Sequence, residues 1–380
     1  MPQGLPHPRR HPGHAVERGG ALDTDTLTAV ILAGGQGTRL RPLTQARPKP
    51  IVPLLNIPFL AYQLALLKRH GVHRAVLSCS HMVDEVRRAM GDGSRFGVEL
   101  VYAVEETPLG TAGGVRNAAD LVRGRVVVLN GDILTDADIT AMLRFHAERG
   151  ARASIYLTPV EDPGPYGLVD LAEDGRVRRF IEKPAAEDQT ANTINAGIYV
   201  LDAPLLGRIP PARVVSIERE FFPALVADGV PFFGWVANAY WLDIGNPEKY
   251  RQAQLDLLAG RVATDVMPDG AGGSRRWIAA DVVLGARVEV VAPVVIGVGS
   301  RLEDDCRVGP VAVLGPGCQI GRAASVAGAV LWERVTVGAG AVLRDCIVGA
   351  GVRIGPHAQV GPGVVLEDGA VVPSGAHLAR

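Results

Sequence analysis

Over roughly the last hundred residues, an aliphatic side chain returns at every sixth position. Leu284, Val290, Ile296, Leu302, Val308, Leu314, Ile320 and Val326 keep the step without a break, usually followed by Gly or another small residue. After a five-residue step to Leu331 it resumes at Val337 and Leu343. A second five-residue step leads to Val348, then Ile354, Val360, Leu366 and Val372. Hexad periodicity is the mark of a left-handed parallel β-helix, in which each aliphatic residue points into a triangular core. At three hexads per coil, the sixteen positions predict roughly five coils over residues 275–380. The Gly- and Ser-bearing stretch Asp269–Ser274 is the natural boundary before it.

The preceding part is different in kind. Apolar Ala29–Ala33 reads as a buried parallel strand, Pro58–His70 as a helix closed by Gly71, Ala75–Cys79 as a strand and His81–Met90 as a short helix. Val98–Val104 and Arg125–Leu129 read as further strands. Ile139, Met142, Leu143 and His146 fall at helical spacing. This alternation specifies a parallel sheet covered on both faces. From Ala151 the pattern loosens around a hairpin turn at Asp174-Gly175. The expected fold class is therefore α/β: a Rossmann-like mixed sheet over residues 29–262, then the β-helix.

The first strand runs into Gly34-Gly35-Gln36-Gly37, and Arg39, Arg41, Arg47 and Lys49 follow, interleaved with Pro42, Pro48 and Pro50. Glycines let a ligand approach the backbone, and successive N–H groups in such a turn can line an anion site. Fixed cations around that turn suit a polyphosphate. No Gly-Lys-Ser/Thr follows, so this is not a Walker A loop, and the prolines exclude the dinucleotide fingerprint. Asp132, in Val128-Leu129-Asn130-Gly131-Asp132, lies just past the carboxyl end of an apolar strand, where open α/β sheets place ligands. Asn246-Pro247 makes a sound N-cap and first helical residue, which puts Asp243 in the loop between strand and helix. Magnesium takes few protein carboxylates plus phosphate oxygens, so these two aspartates are the candidate metal ligands.

Charge is balanced, 39 basic against 40 acidic side chains, which argues against a general nucleic-acid or membrane-surface binder. No apolar run is long enough to span a membrane. Cys79, Cys306, Cys318 and Cys346 are widely spaced with no CxxC pair, which fits buried thiols in a reduced, cytoplasmic protein. Residues 1–28, rich in Pro, His and Arg without an apolar stretch, are expected to be a disordered tail or the product of an upstream start-codon choice.

The stretch from Leu32 to Pro50, LAGGQGTRLRPLTQARPKP, resembles the signature of the sugar-1-phosphate nucleotidylyltransferases, GGxGTRLxPLT followed by PKP. The resemblance continues through Pro108–Gly113, Asp132, Tyr166-Gly167, Glu182-Lys183-Pro184, Asn195–Tyr199 and the Trp241–Tyr250 element. It implies nucleotide binding by Leu32, Ala33, Gly34, Gly35, Gly37, Thr38, Arg39, Gly110 and Thr111. It implies sugar-phosphate binding by Gly167, Glu182, Lys183 and Asn195. Catalytic roles fall on Arg39, Lys49 and Asp132, with Mg²⁺ held by Asp132 and Asp243. The implied partners are a nucleoside triphosphate and a sugar 1-phosphate. A homo-oligomer formed through the β-helix is expected on separate grounds, because its flat faces and open ends need cover.

A single nucleotidyl domain joined to a hexapeptide β-helix is most similar to the mannose-1-phosphate guanylyltransferase group. That implies GTP and mannose 1-phosphate, with dTTP or UTP and glucose 1-phosphate as the alternative. Leu77–Met82 offers no base-reading glutamine of the thymidylyltransferase type, which leaves Ser80 as a candidate to face the base. A non-catalytic regulatory member of the superfamily is a second reading, opposed by the joint presence of Arg39, Lys49, Asp132, Lys183 and Asp243. Acyl transfer by the β-helix is a third, opposed because His357 falls in an ordinary hexad without an inserted loop.

Overall fold

The computed structural model describes residues 27–160, 167–181, 193–268, 270 and 273–379. The expected tail lies almost wholly outside the described residues, as do Tyr166, Glu182 and Lys183. Strand β1 (Thr28–Leu32) is flanked in parallel by β2 (Arg74–Cys79) and β4 (Arg125–Asn130), and β3 (Glu99–Val104) extends the sheet beyond β2. Helices α1 (Phe59–Arg69), α2 (Val83–Met90) and α3 (Gly110–Asn117) make the crossovers. Beyond β4 the short β5 (Ile133–Thr135) leads to α4 (Ile139–Glu148) and β6 (Ala153–Pro159), then the hairpin β7 (Leu168–Leu171) and β8 (Val177–Ile181). Strand β9 (Thr193–Asp202) runs antiparallel to β4, and β10 (Phe232–Val236) pairs with β6 in parallel. The order β8-β7-β9-β4-β1-β2-β3 is therefore a mixed sheet with a parallel half. Two apolar layers cover it, one around Ile31, Leu64, Leu77 and Leu129, the other around Val30, Val76, Val128 and Phe222. The all-Val centre of β4 belongs to a strand buried on both faces, and these two layers are what buries it.

Strand β11 (Trp241–Asp243) pairs antiparallel with β5, and α5 (Pro247–Leu258) follows, its Asn246 Oδ1 accepting from the Lys249 N–H at 2.8 Å. Asp243 thus ends a strand rather than lying free in the loop. The three-residue pairing to β5 is too short to leave a periodic signal.

From Arg276 to Leu378 three parallel six-stranded sheets wrap into the left-handed β-helix. It has six coils against the roughly five expected, because Ile278 and Leu378 extend the same register by one hexad at each end. Leu302, Val308, Leu314, Ile320, Val326 and Leu331 fill the axis with no exposure. Leu284, in the first coil, is 47% exposed because no earlier coil covers it. Both five-residue steps fall at one corner, just before Val330–Leu331 and Ile347–Val348, strands of the face that turns toward the α/β domain. That face does not stand apart. Val295, Val313, Val330, Trp332 and Ile347 share one apolar core with Leu40, Leu43, Leu54, Phe59, Tyr250 and Leu257.

Candidate active site

The carboxyl ends of β1 and β4 lie side by side, and three local features turn them into a site. First, the backbone leaves β1 through Gly34 and Gly35, and only Gly37 adopts a positive φ, +63°. A Cβ there would come within 3.2 Å of the Thr44 methyl, and the Thr44 hydroxyl donates to the Gly37 carbonyl at 2.7 Å. Nothing lies within 4 Å of a Cβ at Gly35, so the loop's outer edge is open to a ligand. Second, Gly131 presses onto β1: its N–H donates to the Leu32 carbonyl at 2.8 Å, and a Cβ would meet that oxygen at 2.4 Å. Buried Gln63 of α1 donates to the Asn130 and Ile133 carbonyls at 2.9 and 3.0 Å, so the turn carrying Asp132 is held from below. Third, the Ile244 N–H donates to the Asp132 carbonyl at 2.9 Å, which ties the Asp243 segment to the Asp132 turn.

Two cavities open on this junction. The first, about 450 Å³, is lined by Leu32, Ala33, Gly34, Gly35, Gly37, Thr38, Arg39, Lys49, Gly110, Thr111 and Asp132, which gathers every residue assigned by resemblance to the nucleotide. The second, about 720 Å³, is lined by Gly167, Asn195, Trp241, Asp243 and Lys249 among others. Arg39, Asn130 and Asp132 line both. Lys49 Nζ lies 2.9 Å from Asp132 Oδ2, and Lys249 pairs with Asp243. Asn195 sits where β9 shifts register against β6; its Nδ2 donates to Glu218 at 2.6 Å and to the Tyr199 hydroxyl at 2.9 Å. Burial pushes the Tyr199 phenol far above its ordinary value, so it stays protonated beneath the second cavity.

The structure divides the cations of the glycine loop. Arg39 and Lys49 line the first cavity. Arg47 turns the other way and lies over the Trp332 ring of the β-helix, 4.7 Å from its centroid. Among the described residues, no three His, Cys, Asp or Glu side chains gather as a metal cluster. Asp132 and Asp243 supply two carboxylates on joined segments facing one cavity, a donor set suited to an ion that takes its remaining ligands from phosphate and water.

Glu105 escaped the sequence reading. It follows the last residue of β3, is 6% exposed, and lines the first cavity. Its Oε1 accepts from the Ser78 hydroxyl at 2.8 Å and its Oε2 from the Leu109 N–H at 2.9 Å. The rule that ligands lie at the carboxyl ends of parallel strands, applied to β3 as it was to β1 and β4, would have singled it out. Ser80 does not line that cavity; its hydroxyl donates to the Gly34 carbonyl at 2.8 Å and so holds the loop. Arg219 of the second cavity had no motif signal, while Trp241 and Lys249 lie within the Trp241–Tyr250 element without having been assigned a role.

The nucleotidyl transferase family profile matches residues 28–260, and that of the EIF2B subunit epsilon LbH domain matches residues 274–378. The chain is 42% identical over 241 residues to a mannose-1-phosphate guanylyltransferase of Mycobacterium tuberculosis (strain ATCC 25618 / H37Rv), covering 63% of this chain and 67% of that protein. It is 34% identical over 256 residues to a UTP–glucose-1-phosphate uridylyltransferase of Synechocystis sp. (strain ATCC 27184 / PCC 6803 / Kazusa), covering 64% of this chain and 66% of that protein. A mannose-1-phosphate guanylyltransferase catalytic subunit beta of Xenopus tropicalis is 39% identical over 229 residues, covering 59% of this chain and 62% of that protein. Matches to these relatives therefore span about two thirds of their own length. Among solved structures, HddC from Yersinia pseudotuberculosis superposes with a TM-score of 0.54 at 30% identity, covering 60% of this chain and 99% of that one. Another crystal structure of HddC holds GMP-PN. Fold, site geometry and profile agree: the chain belongs to the nucleotidyl transferase family, with a hexapeptide β-helix as its second domain.

Proposed function

We propose that this protein joins a nucleoside triphosphate to a sugar 1-phosphate with release of pyrophosphate, and that its substrates are GTP and mannose 1-phosphate. The observation that carries the reaction is the pair of cavities meeting at Arg39, Asn130 and Asp132. A triphosphate laid along the glycine loop brings its α-phosphorus to that junction, while a sugar phosphate in the second cavity brings its oxygen to the same place. The attacking oxygen is already ionised, so no Ser, Cys or His nucleophile is needed. Acceleration then comes from holding the two groups in line and from stabilising the charge that develops between them. Arg39 and the loop N–H groups hold the outgoing phosphates, Lys49 the α-phosphate, and Asn195 and Gly167 the sugar. Glu182 and Lys183 are assigned to the sugar and its phosphate by resemblance. Asp132 and Asp243 would hold Mg²⁺, which supplies charge neutralisation at the reacting phosphates.

Glu105 supports guanine. Guanine presents two neighbouring donors, N1–H and the N2 amine, on one edge, and a carboxylate accepts both. Uracil and thymine present one N–H between two carbonyl oxygens, which a carboxylate repels. The three relatives differ on this point: two are guanylyltransferases by name and the Synechocystis enzyme is a UTP–glucose-1-phosphate uridylyltransferase.

Pyrophosphate release measured for four triphosphates against mannose and glucose 1-phosphates tests the reading, with GTP and mannose 1-phosphate expected fastest. Asp132→Ala should lower kcat by about 10²–10³ in a folded protein, as removal of a charge-stabilising group typically does. Absence of release with every pair, alongside measurable nucleotide binding, would instead favour a regulatory subunit.

A further inference from the structure

We propose that the β-helix holds the catalytic loop in its working shape, with Trp332 and Glu333 as positioning residues for Lys49. The inference rests on the reaction proposed above. Arg47, two residues before Lys49, forms an ion pair with Glu333 and has its guanidinium carbon 4.7 Å above the Trp332 indole. Trp332 is 1% exposed, and its Nε1 donates to the Tyr250 hydroxyl at 2.9 Å. That hydroxyl donates in turn to the Pro53 carbonyl. The loop is therefore gripped on both sides of Lys49, at Arg47 and at Pro53, by one indole and the tyrosine it binds.

The link from grip to site is short and stiff. Pro48 and Pro50 flank Lys49, the Ile51 N–H donates to the Pro48 carbonyl at 3.0 Å, and Lys49 Nζ reaches Asp132 at 2.9 Å. Prolines fix φ and leave little freedom to absorb a shift at Arg47 before it reaches Lys49. The same β-helix face holds the other half of the site: Arg251 of α5 pairs with Asp345 and donates to the Gly328 carbonyl at 3.1 Å. That helix begins four residues after Asp243, so the Asp243 segment is braced from the β-helix side, and the Ile244 N–H ties the Asp132 turn to it.

Full-length Glu333→Gln and Trp332→Phe test the proposal, one removing the charge at unchanged shape, the other removing the indole N–H while keeping a ring under Arg47. Two readouts are needed: steady-state kinetics, and amide hydrogen exchange of peptides covering residues 37–52. In each variant kcat should fall about tenfold while KM for the triphosphate moves less than threefold. Exchange of 37–52 should rise at least tenfold, with peptides from the far edge of the sheet, such as β3, unchanged. Glu333→Asp should recover part of the lost kcat. Unchanged exchange with kcat within twofold in both variants would overturn the proposal, as would a uniform rise in exchange across both domains. Should the wild-type protein release no pyrophosphate with any substrate pair, the proposed reaction fails, and the local exchange rise still reports the grip.

Discussion

Glu105 accepts one hydrogen bond on each oxygen, from Ser78 and from Leu109, and lines the first cavity with acceptor capacity to spare. Replacing it by Gln swaps one acceptor for a donor that would face guanine's own N–H groups. Glu105→Gln should therefore lower kcat/KM for GTP by about 10- to 100-fold, the scale of one charge-assisted hydrogen bond. The ratio of UTP to GTP turnover should rise, and competition between the two triphosphates would measure it. A GTP preference unchanged by the substitution would remove Glu105 from base recognition. At this scale the glycine loop, Asp132 and Asn195 were legible because each sits in a run of residues whose chemistry is shared. Glu105 was not, because a single acidic residue after a strand looks like any surface carboxylate until the strand's neighbours are known. Arg47 was misleading for the same reason: its charge matches the loop's other cations, and only the fold turns it away from the cavity.

Helix α4 and strands β6 and β9 meet at a histidine that has no part in the site. His146 is 1% exposed, its Nδ1 lies 2.9 Å from the Ser154 hydroxyl, and burial lowers its pKa below 6.5, with Asp202 opposing that shift. The folded protein therefore binds fewer protons here than the unfolded chain. The stability that follows is present above about pH 6.5 and is lost as pH falls from there through the lower folded value. His70, lowered in the same direction by burial, adds to it. Denaturant midpoints at pH 7.5 and 5.5 should fall more for the wild-type protein than for His146→Gln, which keeps a partner for Ser154. Equal falls would show that the penalty lies elsewhere. The elements themselves were read from the sequence with small errors at their ends, since strand and helix periods are local properties. The two five-residue steps of the β-helix were legible as irregularities. Their place, at the corner beside the face that meets the α/β domain, was not, because register says nothing of which face a neighbour covers.

The two domains close on one apolar core, and its centre is Trp332 against Tyr250, rings 6.4 Å apart and edge to face. Nothing in the spacing of residues 47, 250 and 332 announces this, since a contact between distant segments leaves no period. Trp332→Ala should cost about 3–5 kcal/mol, the range for truncating a buried large aromatic. The thermal transition should then split, with the α/β domain and the β-helix melting apart, where the wild-type protein gives one transition. A single transition retained in the variant would show that the remaining contacts suffice to couple them. The shared core has a further consequence for the peptide that joins the domains. With a protease site placed between Pro268 and Ser274, cleavage should leave two polypeptides on a denaturing gel and one particle on a sizing column. The junction peptide would then matter for delivering both halves at equal number from one ribosome, and hardly at all for keeping them together afterwards.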